Sequence, residues 1–219
     1  MTRRDHDPAV KPMALDVAKL MECLASKRPI FHSEADFQHA FAWELHKLWP
    51  DSGVRLELPL EASGKSVHLD LWLPALKIAI ELKFKTRALS VEVNGERFRL
   101  KDHSAQDCGR YDYLKDAQRL ETIVESCPRA QGYAILLSND SSYWKSSNND
   151  KTNHAAFNLH EGKSIMGTLA WASKASKGTM CSREDPIVLK SNYQAHWQDY
   201  SRVDSSSYGR FRYLALSVG

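Results

Sequence analysis

The chain has 219 residues, of which 42% are hydrophobic and 26% charged, with a mean hydropathy of −0.48. This composition is typical of a globular domain, and no apolar run approaches the roughly 20 residues that a membrane-spanning helix needs. The net charge of +3 and the sequence pI of about 8.6 permit an acidic partner such as nucleic acid without requiring one.

The four cysteines are widely spaced and form no Cys-x-x-Cys pair, which favours neither a zinc site nor a disulfide framework: Cys23, Cys108, Cys127 and Cys181. The first residues lack the apolar core of a secretion signal. We therefore expect a protein of the reducing cytoplasm that does not associate with membranes.

The chain divides into a short leader and one domain. Residues 1–12 are charged and hold two prolines, which predicts a disordered leader. Residues 13–219 carry no internal repeat and no obvious linker, which predicts a single domain with a core over 33–138 and a C-terminal extension over 139–219.

Apolar periodicity predicts three helices. The first spans 13–26, and the third spans 105–127. The second begins at Ser33, a residue type favoured at the N-cap, and ends before Pro50. Its apolar stripe consists of Phe37, Phe41, Leu45 and Leu48.

Several runs predict strands between and after these helices. An Asn94-Gly95 turn between alternating segments predicts a hairpin over 89–101. The other candidate strands are 54–60, 67–73, 76–84, 132–138, 167–171, 187–190 and 211–218. Together the elements predict an α/β three-layer sandwich, with a central mixed sheet flanked by helices and a C-terminal β extension.

One short pattern points to chemistry. Glu81-Leu82-Lys83 is a carboxylate-x-lysine tripeptide, but chance gives roughly two such matches in this composition, and the second is Glu161-Gly162-Lys163. Context separates them, because Glu81 and Lys83 share the polar face of an alternating strand, whereas apolar alternation is absent around Glu161.

The preceding strand supplies a second carboxylate. If strands 67–73 and 76–84 form a hairpin whose apolar faces coincide, Asp70 lies opposite Ala79 and diagonal to Glu81. Two converging carboxylates repel each other unless a cation such as Mg²⁺ lies between them. Lys83, next along the same face, could position a metal-bound water or stabilise a phosphate. The alternative is an ordinary strand with one solvated face.

At this point the sequence resembles the PD-(D/E)XK, or restriction-endonuclease-like, superfamily. Its core of helix, three strands, helix and strand matches the order predicted for residues 33–138. Asp70, Glu81 and Lys83 match the motif, although Leu69 replaces the motif's proline. The segments 31–45 and 106–116 look like a group of uncharacterised bacterial proteins in this superfamily.

The resemblance implies hydrolysis of phosphodiester bonds with Mg²⁺ or Mn²⁺, with DNA as the expected substrate, in defence or repair. It implies metal ligation by Asp70, Glu81 and the backbone carbonyl of Leu82, with Lys83 as base or charge stabiliser. Many members carry a glutamate on the first core helix, and Glu34 matches it as a helper through a second metal or a water. Capping of the helix would also explain Glu34.

Five residues are candidates for contacting nucleic acid: Gln38, Lys85, Arg97, Arg99 and Arg110. Interpretations without a contact to nucleic acid also remain open. Hairpin 89–101 is either an arm that grasps DNA or surface decoration. The resemblance implies that Arg110, Lys115 and Arg119 on the third helix could contact phosphates. They are more simply a solvated helix face, with salt-bridge partners in Asp112, Asp116 and Glu121. Tyr143 and Trp144 either stack on bases or pack on the domain surface.

Two other functions are kept as alternatives. The first is a catalytically inactive module that binds nucleic acid with a nuclease-like fold. The second is a protein-interaction component of a defence system that uses residues 141–219 as its contact surface. A homodimer or a protein partner is compatible with either alternative and with the nuclease.

Overall fold

A computed structural model describes residues 14–62, 65–146 and 151–219. The predicted leader over 1–12 lies outside the described residues. Within the described part of the chain, no helix combines the length and the apolar character needed to cross a bilayer.

The helices begin where the capping residues predict. Ser33 accepts a hydrogen bond from the Asp36 backbone N–H at 3.2 Å, and Asp16 accepts one from the Lys19 N–H at 3.0 Å. The cap at Asp16 explains why the first helix starts later than predicted. The helices are α1 (Val17–Lys27), α2 (Glu34–Leu48), α3 (Gln106–Ser126) and the short α4 (Lys177–Met180).

The strands form one central sheet and two separate hairpins. The strands are β1 (Arg55–Ala62), β2 (Lys65–Leu73), β3 (Ile78–Lys85), β4 (Leu89–Val93), β5 (Glu96–Leu100), β6 (Gln131–Ser138), β7 (Ser164–Leu169), β8 (Ile187–Gln194), β9 (Trp197–Arg202) and β10 (Arg210–Val218). The central sheet has the order β1-β2-β3-β6-β10-β9. Only β3 and β6 pair in parallel, so the sheet is mixed as predicted.

Helices cover both faces of this sheet, which confirms the mixed α/β class. On one face, α1 and α2 pack on apolar side chains that include Ile80, Leu82 and Ile135. On the other face, α3 packs on Ala79 and Ala134. The small residues at the centre of that face let α3 approach β3 and β6 closely.

The two hairpins lie outside the central sheet. Asn94 and Gly95 both have positive φ, 51° and 81°, which is the backbone of a tight type I′ turn and confirms the predicted β4–β5 hairpin. Phe98 stacks on His32 with ring centroids 4.3 Å apart, which ties this hairpin to the start of α2. The β7–β8 hairpin packs against α3, where Glu121 accepts hydrogen bonds from the backbone N–H groups of Lys190 and Ser191.

The predicted register of β2 and β3 is wrong. Ala79 pairs with Trp72 instead of Asp70, because the connection is four residues long and includes Lys77 with a φ of 54°. The alternation within β2 also breaks. Leu71 lies in the core under α1 and α2, whereas Leu69 lies in the core under α3. Asp70 therefore sits where the strand changes face.

Candidate functional site

Asp70 lies at the point where β2 separates from β3. The paired part of the two strands ends at Leu71 and Ile80. Beyond it, the backbone N–H of Leu82 donates to Asp70 Oδ2 at 2.6 Å. The Asp70 carboxylate thus takes the place of a backbone carbonyl in the strand pairing, and Asp70 is only 8% exposed. Burial raises the pKa of Asp70 from its ordinary value of 3.8 to about 6, although the bond from Leu82 opposes this rise.

Glu81 and Lys83 occupy the inner strand β3, between β2 and β6. Glu81 is 2% exposed, and the Lys83 side chain is 17% exposed. Burial and the nearby Asp116 raise the pKa of Glu81, against the opposing effect of Arg119. Burial alone would lower the pKa of Lys83, but the carboxylates of Asp116 and Glu34 outweigh burial and raise it. Both residues are therefore part of one buried electrostatic cluster.

Two residues of α3 complete this cluster: the expected local salt bridge between Arg119 and Asp116 is present, but the burial of Asp116 was not predicted. Arg119 Nη1 donates to Glu81 Oε1, and Arg119 Nη2 lies 2.7 Å from Asp116 Oδ1. Asp116 Oδ2 lies 2.7 Å from Lys83 Nζ. These contacts form a continuous chain from Glu81 through Arg119 and Asp116 to Lys83. We name these residues, together with Asp70 and Glu34, the carboxylate cluster.

The prediction that Asp116 and Glu121 lie on a solvated helix face is wrong. Both are 4% exposed, because the central sheet covers one side of α3 and the β7–β8 hairpin covers another. The sequence held a signal for Asp116: it falls at helical spacing among the buried Tyr113, Ala117 and Leu120. A carboxylate within an apolar stripe requires a partner, and Lys83 and Arg119 provide it.

Glu34 reaches the cluster from the other helical layer. It is the first residue of α2, and its Oε2 accepts a hydrogen bond from the Phe84 backbone N–H at 2.8 Å. Its charge acts on both Asp70 and Lys83. Gln38, one turn further along α2, is 8% exposed, and its amide makes no hydrogen bond within the described part of the chain.

The cluster carries more negative than positive charge. Four carboxylates, those of Glu34, Asp70, Glu81 and Asp116, face only two cations, Lys83 and Arg119. With all six groups ionised, two negative charges remain uncompensated in a largely buried place. Such an excess is costly unless a proton or a cation removes it.

Two carboxylate oxygens of the cluster have no hydrogen-bond donor. Within the described residues, Asp70 Oδ1 and Glu81 Oε2 accept no hydrogen bond. The described part of the chain contains no group of three or more His, Cys, Asp or Glu side chains arranged to hold a metal ion.

An open groove leads to the cluster. It has a volume of about 1120 Å³ and runs between β1–β2 and α3. Trp72 and Leu69 line its apolar wall, and Lys115 and Arg119 supply positive charge. Because Arg119 belongs to both the groove and the cluster, a ligand in the groove contacts the side chain that neutralises Glu81.

The structure separates the candidates for nucleic-acid contact. Arg97 and Arg99 are exposed on β5, and Lys85 is half-buried at the end of β3, two residues from Lys83. Arg110 is 8% exposed and lies apart from them, donating to the Ser142 carbonyl at 2.6 Å.

The two aromatic residues that follow β6, Tyr143 and Trp144, are also buried. Tyr143 is 1% exposed and Trp144 is 9% exposed. Tyr143 packs under Arg110, and both rings contact Trp197. They form part of the core under α3, which agrees with the interpretation that they pack on the domain and not with base stacking.

Comparison with known protein families, curated proteins and solved structures found no match. The resemblance to the PD-(D/E)XK superfamily therefore rests on the motif and on the order of the elements, and it stays a prediction.

Proposed function

We propose that the protein hydrolyses phosphodiester bonds, with DNA as its substrate, using a divalent cation held by Asp70 and Glu81. The observation that carries this proposal is the excess of two carboxylates over cations in the carboxylate cluster, where burial raises the pKa of both Asp70 and Glu81. One Mg²⁺ or Mn²⁺ ion balances that excess, and each of the two carboxylates has an oxygen available for it.

Each residue of the cluster has a distinct role in this proposal. Asp70, Glu81 and the Leu82 carbonyl hold the cation, which would polarise the phosphate and lower the pKa of a bound water. Lys83 stabilises negative charge on the phosphate or orients the attacking water. Glu34 assists through a water or a second cation.

Asp116 and Arg119 act on these groups rather than on the substrate. Asp116 holds the Lys83 ammonium in place, with the two charged atoms 2.7 Å apart. Arg119 neutralises Glu81 and lines the groove.

The charge distribution around the cluster favours an anionic polymer as the substrate. Lys85 continues β3 beyond Lys83, and Arg97 and Arg99 stand exposed on the adjacent β4–β5 hairpin. Contacts of this kind to phosphates position a strand without reading its sequence. The groove beside Arg119 offers a path by which the substrate reaches the cluster.

One observation favours the inactive nucleic-acid-binding module as the second candidate. Arg119 and Lys83 already pair with Glu81 and Asp116, so part of the cluster is neutralised without any cation. A buried ion-pair network can serve structure alone. The two candidates differ in whether a divalent cation enters beside Asp70.

A cleavage assay with Mg²⁺, Mn²⁺ or EDTA separates them. Purified protein is tested on duplex, single-stranded and flapped DNA and on RNA. We expect metal-dependent cleavage that falls by roughly a hundredfold or more in Asp70→Asn and in Lys83→Met, since each removes a group that acts on the metal or the phosphate. Lys163→Met, from the second carboxylate-x-lysine tripeptide, is the matched control and should cleave normally.

Three other outcomes would contradict the proposed nuclease activity or favour an alternative function. Cleavage that persists at full rate in Asp70→Asn removes the cluster from the chemistry. No cleavage of any substrate, together with DNA binding that weakens as salt rises, supports the inactive module. Stable association with another protein and no affinity for nucleic acid supports the interaction component.

A further inference from the structure

A second polar cavity lies at the amino end of α3, apart from the carboxylate cluster. Its volume is about 600 Å³, within the range of sites that take small molecules. The lining residues on which its chemistry depends are Gln106, Asp107, Arg110, Lys145, Thr152 and His154. We name it the amino-end cavity.

Arg110 is the central feature of this cavity. The residue is 8% exposed, with Nη2 donating to the Ser142 carbonyl at 2.6 Å and the guanidinium lying over the Tyr143 ring at 5.5 Å. Its Nε is buried and has no hydrogen-bond partner. Burial lowers the pKa of Arg110, as expected for a cation whose desolvation is incompletely compensated. A buried, unpaired N–H on a permanent cation points to an anionic acceptor.

The end of the helix adds a second, independent attraction for an anion. α3 has 21 residues, and its N-cap, Ala105, offers no side-chain hydrogen bond to the first turn. The first two helical residues, Gln106 and Asp107, line the cavity. The Asp107 carboxylate accepts a hydrogen bond from the Cys108 backbone N–H at 2.9 Å. The backbone N–H groups of Gln106 and Asp107, together with the helix dipole, favour further negative charge at this end.

The charge of the described lining residues has the matching sign. Arg110 and Lys145 are cationic, and Asp107 is acidic, which leaves one positive charge when histidine is neutral. The lining also holds Thr152, whose Oγ1 is buried without a hydrogen-bond partner among the described residues. A hydroxyl, an ammonium and a guanidinium therefore line the same cavity, beside the Gln106 amide, which donates to Asp140 at 2.9 Å.

We propose that the amino-end cavity binds a phosphate monoester of nucleotide size. Phosphate matches a guanidinium donor and helix N–H groups in charge and geometry. A volume near 600 Å³ exceeds what a bare phosphate fills, so the group it takes carries an organic part. Arg110 holds the phosphate, and Lys145 and His154 close around it.

This site is distinct from the proposed metal site. Arg110 and Asp116 lie six residues apart on α3, which is about 9 Å along the helix axis. The inference does not rest on hydrolysis by the carboxylate cluster. The same phosphate chemistry occurs on a free nucleotide and on the 5′ end of a strand, and the probes below distinguish these sources.

The test is calorimetric titration of the full chain in EDTA, so that no divalent cation bridges a phosphate to the carboxylate cluster. The probes are inorganic phosphate, a nucleoside 5′-monophosphate, and a short oligonucleotide with either a 5′-phosphate or a 5′-hydroxyl. We expect the monophosphate to bind more tightly than inorganic phosphate. A 5′-phosphate preference in the oligonucleotides would identify a strand end as the source.

Substitutions locate the binding site. Lys145→Ala changes an exposed side chain, and we expect it to weaken binding of the monophosphate by about tenfold, the value of one charge-assisted contact. Arg110→Gln should abolish binding, with circular dichroism confirming that the variant folds. Lys174→Ala, an exposed lysine outside the cavity, should change nothing.

Two results would overturn the inference. The first is folded wild-type protein that binds no phosphate probe at millimolar concentration. The second is binding that Lys145→Ala and Lys174→Ala reduce equally, since this would show general attraction to a basic surface. Neither result bears on cleavage by the carboxylate cluster, which is assayed with metal present.

Discussion

α3 carries two polar regions whose uncompensated charges have opposite signs. At its middle, Asp116 and Arg119 join a cluster with more carboxylates than cations. At its amino end, Arg110 lines a cavity with more cations than carboxylates. The carboxylate cluster and Arg110 are largely buried, whereas Lys145 at the amino end is exposed, so water screens the positive excess more than the negative one.

The difference shows how the sign of the uncompensated charge in a region indicates whether its ligand is a cation or an anion. A buried region with excess negative charge and free carboxylate oxygens favours a hard cation. A buried region with excess positive charge and an unpaired guanidinium N–H favours an oxyanion.

Removing the cation that neutralises Glu81 should cost the most stability. Arg119→Met leaves Glu81 and Asp116 without a shared partner, and we expect a loss of about 3–5 kcal/mol in the free energy of unfolding in EDTA. Mg²⁺ should restore part of this loss, because a bound cation replaces the missing charge. Urea denaturation with and without Mg²⁺ measures both effects.

The matched control is the other arginine ion pair that reaches α3. Arg183 pairs with Asp112, but both side chains are about a third exposed, at 31% and 32%. Arg183→Met should therefore cost only about 0–1 kcal/mol, with no effect of Mg²⁺. Equal losses of unfolding free energy in Arg119→Met and Arg183→Met would show that the carboxylate cluster is no more sensitive to a missing cation than an exposed ion pair is.

Ionisation of Asp70 should make the metal-free protein less stable as the pH rises. Its pKa rises from 3.8 to about 6 on folding, so the folded protein holds this proton more tightly than the unfolded chain. The contribution of Asp70 to stability is thus intact below pH 3.8 and falls as the pH rises to about 6, by about 3 kcal/mol in total.

Asp70→Asn isolates this contribution. The unfolding free energies of wild type and variant are measured in EDTA from pH 4 to pH 8. Wild type should lose stability relative to the variant as the pH rises to about 6, and above that pH the difference should stay constant. A difference that does not depend on pH would mean that Asp70 is not held in a desolvated, negatively charged surrounding.

A smaller effect is expected at the amino end of α3. A Cβ on Gly109 would lie 2.3 Å from Tyr143 Oη, and the Tyr143 ring supports Arg110. Gly109→Ala should destabilise the protein by about 1–3 kcal/mol through overpacking, although alanine favours a helix. Gly178→Ala, with its nearest contact at 3.9 Å, is the control and should be close to neutral in thermal melts.

The smallest effect on stability is expected at the exposed hairpin. Arg97→Ala and Arg99→Ala should each change stability by less than about 0.5 kcal/mol. If the hairpin contacts DNA, each should reduce the slope of log K against log salt by about 1. Arg202 is an exposed arginine on β9, and Arg202→Ala should leave the slope unchanged. Identical slopes in all variants would show that the hairpin does not contact DNA.

Features set by local chemistry were predicted from sequence. The Asn94-Gly95 turn requires positive φ at both residues, and the Ser33 cap fixes the start of α2, so both appear where predicted. The alternation around Glu81 likewise identified a strand, although not its place inside the sheet. These signals lie within a few residues of the structure that they determine.

Features set by distant parts of the chain were not predicted. The register of β3 depends on a connection whose length the turn residues left undefined. Asp116 is buried against β3 of the central sheet, and Glu121 is buried against the β7–β8 hairpin, whose strands lie about 40 or more residues later. β9 was missed because its sequence alternates weakly, and pairing with β10 makes it a strand.

The most direct test of the account is a crystal soaked in Mn²⁺ and measured at the manganese absorption edge. We expect an anomalous peak within coordination distance of Asp70 and Glu81, about 2.1–2.3 Å from one oxygen of each. Mn²⁺ peaks elsewhere in the crystal, with none beside Asp70 and Glu81, would contradict the proposed metal site.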